Sequence, residues 1–386
     1  MNDFFFDLYG TDSNAGLTAF PVLNIPMGGR SEGMAGAFSA VCDDISFVEW
    51  NPAGSSMLFR TELAFYHNNW IADTKIESAI FSSRLGNFGL AAAGKWLYTP
   101  FTEYGDWGER LSKGYYSEIA GVLNVSYNFF PGYYFSGISV GLNVKAAYRA
   151  MPDFSEYTGA SQSAAGFMGD AGLLTRINFL KFYDSRDKNT SFAFVLRNIG
   201  PAVMGDALPS LAVAAISYRP FRPLLFSFDF SLPVNLTDIT LSEKPFFAFG
   251  FSAAITRFLS MRTGLQLKAG ASRFTLGTSI SLGAAALEIN YSLDLATQLQ
   301  PLNRVTLGVR LDLGDGGRAE VARMVDSYYL NGLDAYSEGD DEKALENFSE
   351  ALKINPNFDP AIEGIEAIEN FRSLTDRIKR MEELDL

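Results

Sequence analysis

The stretch Phe135-Ser-Gly-Ile-Ser-Val-Gly-Leu-Asn-Val-Lys-Ala-Ala-Tyr-Arg149 decides how the chain is read. Ile138, Val140, Leu142, Val144, Ala146 and Tyr148 fall on one parity, and Ser139, Gly141, Asn143, Lys145 and Arg149 on the other. Side chains of a strand alternate between faces, so one face is apolar and the other polar. The pattern returns at 224–232, where Phe226, Phe228, Phe230 and Leu232 oppose Ser227, Asp229 and Ser231, and again at 274–282 and 304–313. Fourteen such segments run near 61–72, 75–86, 88–98, 116–130, 135–150, 163–177, 190–199, 208–219, 222–234, 245–256, 258–269, 271–283, 284–294 and 303–313. An even number suits a single-chain bacterial barrel.

Two architectures bury an alternating strand. A soluble antiparallel sandwich turns its apolar faces inward; a membrane barrel turns them outward and closes so that every backbone group is paired. Three features favour the barrel. The segments approach the length a tilted membrane strand needs. Trp96, Tyr98, Tyr115, Tyr116, Phe129, Phe130, Tyr133 and Tyr134 gather at segment ends, as interfacial girdles do. Charge collects on the polar parity. Long connections near 99–115, 151–162 and 235–244 are expected outside, and short ones at Asn87, Pro131–Tyr134 and Pro220–Arg222 on the periplasmic side; 178–189 breaks this alternation. Composition agrees: 33 Phe, 17 Tyr and 35 Gly in 386 residues, with 19% charged. The net charge of -13 argues against a nucleic-acid partner. One Cys and one His exclude a disulfide framework and a Cys- or multi-His-built metal site, so neither metal nor cofactor is expected.

The first sixty residues are not strand-like. Gly28 to Gly54 is rich in small residues, with Ser31 placed to cap a helix over Met34–Val41 and Asn51-Pro52 placed as a turn. A block of this kind before a barrel reads as a plug. The same glycines could suggest a nucleotide loop, but they follow no strand and lack Gly-Lys-Ser/Thr. Asp43 and Asp44 could form a metal or acid–base pair; capping and turning the hatch is the simpler role.

The run Gly33-Met-Ala-Gly-Ala-Phe-Ser-Ala-Val-Cys-Asp-Asp44, followed by Trp50-Asn-Pro-Ala-Gly54, resembles the opening motif of the FadL-like outer-membrane proteins, approximately G-M-G-G-A-[FY]-[TS]-A-x-A-D-D and then N-P-A-G. Ala35 and Cys42 depart from it. The family holds long-chain fatty acid transporters, aromatic-hydrocarbon channels and PorV-type secretion shuttles. The resemblance implies a fourteen-stranded barrel plugged by an N-terminal hatch, with Gly33, Met34, Gly36, Asp43, Asp44, Asn51, Pro52, Ala53 and Gly54 as hatch motif. It is nearest to a spirochaetal FadL-like group, some of which carry a C-terminal TPR extension. The implied function is uptake of long-chain fatty acids or other hydrophobic small molecules across the outer membrane; a binding, shuttle or structural surface role without transport is the other branch.

A fatty acid needs a polar grip for its carboxylate. By parity the lumen offers Lys95, Lys145, Arg149, Arg176, Arg197, Arg262, Lys268, Arg304 and Arg310, among which Lys145, Arg149, Arg262 and Arg310 are the candidate contacts. Each could instead pair with a lumen acid: Glu118, Asp170, Asp229, Glu288, Asp294 or Asp312. Catalysis is not expected, because His67 is the one available His and reads as an interfacial or loop residue.

From Arg318 onward the character changes. The last 69 residues hold 17 Asp/Glu against 8 Lys/Arg and three of the 33 Phe. Gly314-Asp-Gly-Gly317 is a flexible junction, dividing a hatch over 1–60 and a barrel over 61–314 from a helical region over 315–386. Gly332, Tyr336, Ala344, Phe348, Ala351 and Pro356 resemble a TPR repeat, with Tyr336 one place off register; Leu330, Leu333, Leu345, Phe348 and Leu352 read as its core. Asp359-Pro360 should open a third helix. Both ends of an even-stranded barrel share one side, so hatch and tail are expected in the periplasm, the tail as a docking module for a protein partner. Met1-Asn-Asp-Phe-Phe-Phe lacks the basic start of a signal peptide, and an export signal is expected to have been removed.

Overall fold

A computed structural model describes residues 12–70, 73–151, 162–295 and 303–384. The aromatic arm Met1–Leu8 and most of the expected loop 151–162 lie outside these. Fourteen antiparallel strands follow one another around a closed barrel: β1 (Glu62–Asn69), β2 (Lys75–Leu85), β3 (Phe88–Tyr104), β4 (Arg110–Phe129), β5 (Ile138–Ala150), β6 (Ala164–Ile177), β7 (Thr190–Ile199), β8 (Leu211–Tyr218), β9 (Leu224–Pro233), β10 (Phe246–Ala254), β11 (Leu259–Leu267), β12 (Arg273–Leu282), β13 (Ala285–Asp294) and β14 (Arg304–Asp312). The sheet closes where β1 pairs with β14, from Glu62↔Asp312 to Asn69↔Val305.

The barrel is apolar outside and polar inside. On β5, Val144 is 68% exposed while its neighbour Lys145 is 5% exposed. Ser139, Asn143 and Thr306 are buried where Leu142, Phe167 and Leu307 face out. In water this would be an inverted core. It is the order a lipid solvent selects, since apolar side chains and a closed ladder leave no unpaired polar group toward hydrocarbon.

The strands run longer than expected at one place. The connection expected over 99–115 is mostly strand, because pairing continues from Thr99↔Tyr116 to Thr102↔Lys113 and leaves only a short turn near Gly105–Glu109. The inside/outside alternation of burial fades there, but the backbone pairing runs on through Pro100. The connection 178–189 sits at the end carrying the short turns. It is held there by Phe182 stacked on Phe221 at 5.6 Å and by the Tyr218 hydroxyl donating to the Leu180 carbonyl at 2.7 Å.

Inside the barrel the first segment folds as short turns: 3-10 turns at Pro21–Asn24, Ile45–Glu49 and Pro52–Met57 and a five-residue helix, α1 (Gly29–Gly33). The helix lies one turn earlier than the expected Met34–Val41. Ser31 does not cap it; its hydroxyl donates to the Gly28 carbonyl at 3.1 Å. Inward-facing glycines make room for this coil. A β-carbon built at Gly141 would lie 2.2 Å from the Pro52 carbonyl carbon, one at Gly172 would lie 2.2 Å from Asn51 Oδ1, and one at Gly264 would lie 2.2 Å from the Met34 carbonyl carbon. Hatch backbone therefore comes directly against the wall at Gly141 and Gly264, and hatch side chains do so at Gly172.

A second compact unit contains Phe130–Gly137 and the helices α2 (Arg318–Ser337), α3 (Asp341–Ile354) and α4 (Asp359–Leu384). Its core is Phe348, which fills the space left by Gly332 and Gly364: a β-carbon at either would lie 2.5 or 2.7 Å from the Phe348 ring. Ala344, Phe358, Ala361 and Ile368 close around it. Leu330 and Leu333, expected in this core, lie on the surface instead. Asp340 caps α3 through the Lys343 amide. The Asp359 carboxylate does not serve as the expected helix cap; it accepts the amides of Tyr133 and Tyr134 at 3.0 and 3.3 Å.

Candidate functional site: a cavity between hatch and loops

The hatch is fastened to the wall from Val22 to Pro52. Lys95 on β3 donates to the Ile25 carbonyl at 2.7 Å and pairs with Glu49 at 2.6 Å, and Glu49 in turn accepts the Met27 amide. Arg304 on β14 pairs with Glu32 of α1 at 2.7 Å. Both ion pairs are nearly free of solvent. Asn124, Asn143 and Asn290 donate side-chain amides to the carbonyls of Pro52, Val48 and Gly29. Glu62, Glu118 and Asp229 accept the amides of Ile45, Val22 and Ser39. A coil that forms no ladder of its own must satisfy its backbone elsewhere; here the wall's polar parity does so.

Within the motif, Asn51 caps the turn Pro52–Met57 by accepting the Ala53 amide, while its own amide reaches the carbonyls of Ser39 and Leu173. Asp44 caps Ile45–Glu49 through the Ser46 amide. Gly36, at φ 84°, passes under Trp50, whose ring would lie 2.4 Å from an added β-carbon, and Gly54 packs against Phe47 in the same way. Gly33 meets Arg262, and Met34 is fully buried. Asp43 alone reaches the rim. It pairs with Arg30 at 2.7 Å and Arg219 at 3.2 Å, beside Arg176, which donates to the carbonyls of Val41 and Cys42. Burial opposes its charge, but the three guanidinium groups prevail and hold the carboxyl below its ordinary value.

Between the hatch and the end of the barrel carrying the loops after β7, β9 and β11 lies a cavity of about 430 Å³. Leu17, Ile25, Trp50, Trp70, Leu211 and Phe246 supply apolar wall, and Arg197, Lys268, Arg273 and Arg304 supply positive charge. Such a volume, mostly apolar with a few polar groups, is that of a small-molecule site. Two of the bases carry an internal carboxylate: Arg304 holds Glu32, and Lys268 holds Glu243 at 2.5 Å. The Arg197 guanidinium lies 4.8 Å above the Trp50 ring, and its buried Nε has no hydrogen-bond partner among the described residues.

The four sequence-selected bases lie elsewhere. Lys145 is held by Asp170 at 2.7 Å and Asn198 at 3.0 Å. Arg310 is shared by Glu62 and Glu288. Arg262 hydrogen-bonds Ser279 and packs under Gly33. Arg149 donates to the Gln162 carbonyl and to Met204 Sδ. None lines the cavity. Arg197, Lys268 and Arg304 were visible as inward bases; Arg273, at the first position of β12, was missed because it sits at a strand boundary. Glu32 and Glu49 were missed because they are on the hatch, where parity says nothing. His67 faces outward, with Glu77 at 2.8 Å and Asn69 at 3.2 Å. Of the TPR-like positions, Gly332, Ala344, Phe348 and Ala351 are buried in the helical core, and Tyr336 keeps exposed surface.

Residues 10–316 match the model of UPF0164, described as an uncharacterised protein family, and the chain belongs to it. A UPF0164 protein of Treponema pallidum (strain Nichols) is 30% identical over 370 residues, spanning 92% of this chain and 83% of its own length. A second from the same organism is 25% identical, spanning 92% and 76%. Among solved structures, the Ralstonia pickettii toluene transporter TbuX is similar with a TM-score of 0.47 at 12% identity, over 77% of this chain and 99% of that one. The Pseudomonas putida toluene transporter TodX is similar with a TM-score of 0.49 at 12% identity, over 72% and 96%.

Proposed function

We propose that this UPF0164 member is an outer-membrane barrel that takes up long-chain fatty acids or similar hydrophobic molecules with an anionic end. The cavity carries this reading: apolar over most of its wall, it collects four basic side chains. An acyl chain gains about 0.8 kcal/mol per methylene that leaves water, and a carboxylate finds bidentate donors in the arginines. The apolar outer surface supports placement in a bilayer through the strands. Under the same reading the helical region 315–386 is a TPR-like periplasmic module for a protein partner, Tyr336 being the motif residue open to one.

The test is uptake of labelled oleate into proteoliposomes holding the full chain. Rates above those of empty liposomes are expected, and equal rates would overturn transport. A second reading, a barrel that binds or shuttles without conducting, draws support from the depth of hatch fastening. Oleate bound by the purified protein but never delivered to the vesicle interior would select it.

A further inference from the structure

Within the segment Asp12–Thr18, Ala15–Thr18 line the cavity, as do Asn235 and Leu241–Glu243 of the connection from Asn235 to Lys244. The two segments are tied by polar contacts. The Asn14 side-chain amide donates to the carbonyls of Thr240 and Ser242, Asp12 accepts the Lys244 amide at 2.7 Å, and Glu243 accepts the Gly16 amide at 3.2 Å. Thr18 bridges to Ala207 on the other side. Among the described residues no apolar side chain anchors this strap; Leu17 is 49% exposed.

Glu243 does two things at once. One carboxylate oxygen holds the strap at Gly16, and the other holds Lys268 at 2.5 Å. We propose that Glu243 is a displaceable latch, a built-in carboxylate occupying the place on Lys268 that the head of an anionic amphiphile takes. The incoming carboxylate replaces Glu243 as partner of Lys268, with Arg273 on the same cavity wall. Glu243 then leaves with its loop, the Gly16 amide loses its acceptor, and the strap opens. A ligand shifts such an equilibrium only by its preference for one state, and the preference here is charge on the head: an uncharged amphiphile of equal length has nothing with which to displace Glu243. This regulation rests on the uptake reading.

The experiment is hydrogen exchange of the segment 12–19 in the full chain in detergent micelles, wild type and Glu243→Ala, alone and with oleate or oleyl alcohol. The latch requires exchange several-fold faster in Glu243→Ala without ligand, a similar acceleration in the wild type on adding oleate, none on adding oleyl alcohol, and several-fold tighter oleate binding by the variant. Equal exchange in the two unliganded proteins overturns the latch and leaves uptake standing. So does oleate binding to the wild type with exchange unchanged, or equal affinity in both proteins. Oleate binding to neither protein overturns the uptake reading and the ligand half of the latch together.

Discussion

The hatch from Gly28 to Met57 and the strap from Asp12 to Thr18 lie in one lumen, a few residues apart in sequence, and are held by opposite means. Wall side chains reach the hatch backbone repeatedly, two solvent-free ion pairs pin it, and wall glycines let it seat directly on the strands. The strap has hydrogen bonds at the solvent edge and a half-exposed leucine. A net hydrogen bond is worth about 1 kcal/mol, and breaking a buried ion pair costs several times that. Access to the cavity and passage beyond it are therefore two problems of unequal size. Under the proposed uptake, a molecule would reach the site by lifting the strap, and going further would mean unfastening the hatch.

The comparison can be broken at its strong end first. Lys95→Met leaves Glu49 buried without its ion-pair partner and should cost roughly 3–5 kcal/mol, read as a lower urea midpoint of the detergent-solubilised barrel. An unchanged midpoint would mean the hatch is not a structural part of the fold. Gly172→Val drives a side chain into Asn51 and Pro52 and should cost about 1–3 kcal/mol. If the hatch is unseated, tryptic cleavage within 28–57 should appear with it; resistance equal to wild type would contradict the seating.

Acid should act on the hatch rim. The Asp43 carboxyl is held below its ordinary value by Arg30, Arg219 and Arg176. Its contribution is therefore fully present above the unfolded value, about 3.9, and is lost as pH falls through the lower folded value. Asp43→Asn should be less stable than wild type at neutral pH, with the gap closing below about pH 4; a gap that persists in acid would assign Asp43 no electrostatic role. The smallest effect belongs to the strap. Asn14→Ala should change the unfolding free energy by no more than about 1 kcal/mol while making 12–19 more open to protease. A large loss of stability would erase the distinction between the two regions.

Much of the barrel could be read from the residues. Alternation in segments such as Ile138–Arg149 located strands and assigned inside and outside, because a strand's geometry fixes parity and lipid enforces it. The same rule placed Lys145 and Arg310 in the lumen but could not tell at what height, or against what. Their partners, Asp170 for one and Glu62 with Glu288 for the other, depend on register between strands. The cavity was less legible still. It is lined by hatch coil and by the strap, segments without periodicity whose positions are set by the wall they meet. Glu118 and Asp229, which parity offered as partners for lumen bases, accept hatch amides instead. A backbone acceptor or donor has no signature in the residue that carries it.

The joint between β1 and β14 pairs the earliest strand with the latest. No cylinder exists until Arg304–Asp312 has been made and brought round to Glu62–Asn69, the costliest kind of contact for a chain to find. The segment that ends up enclosed is by then long since synthesised. Because its main chain is keyed into glycine recesses at Gly141 and Gly264, on either side of the joint, the closed cylinder and its filling share one set of contacts.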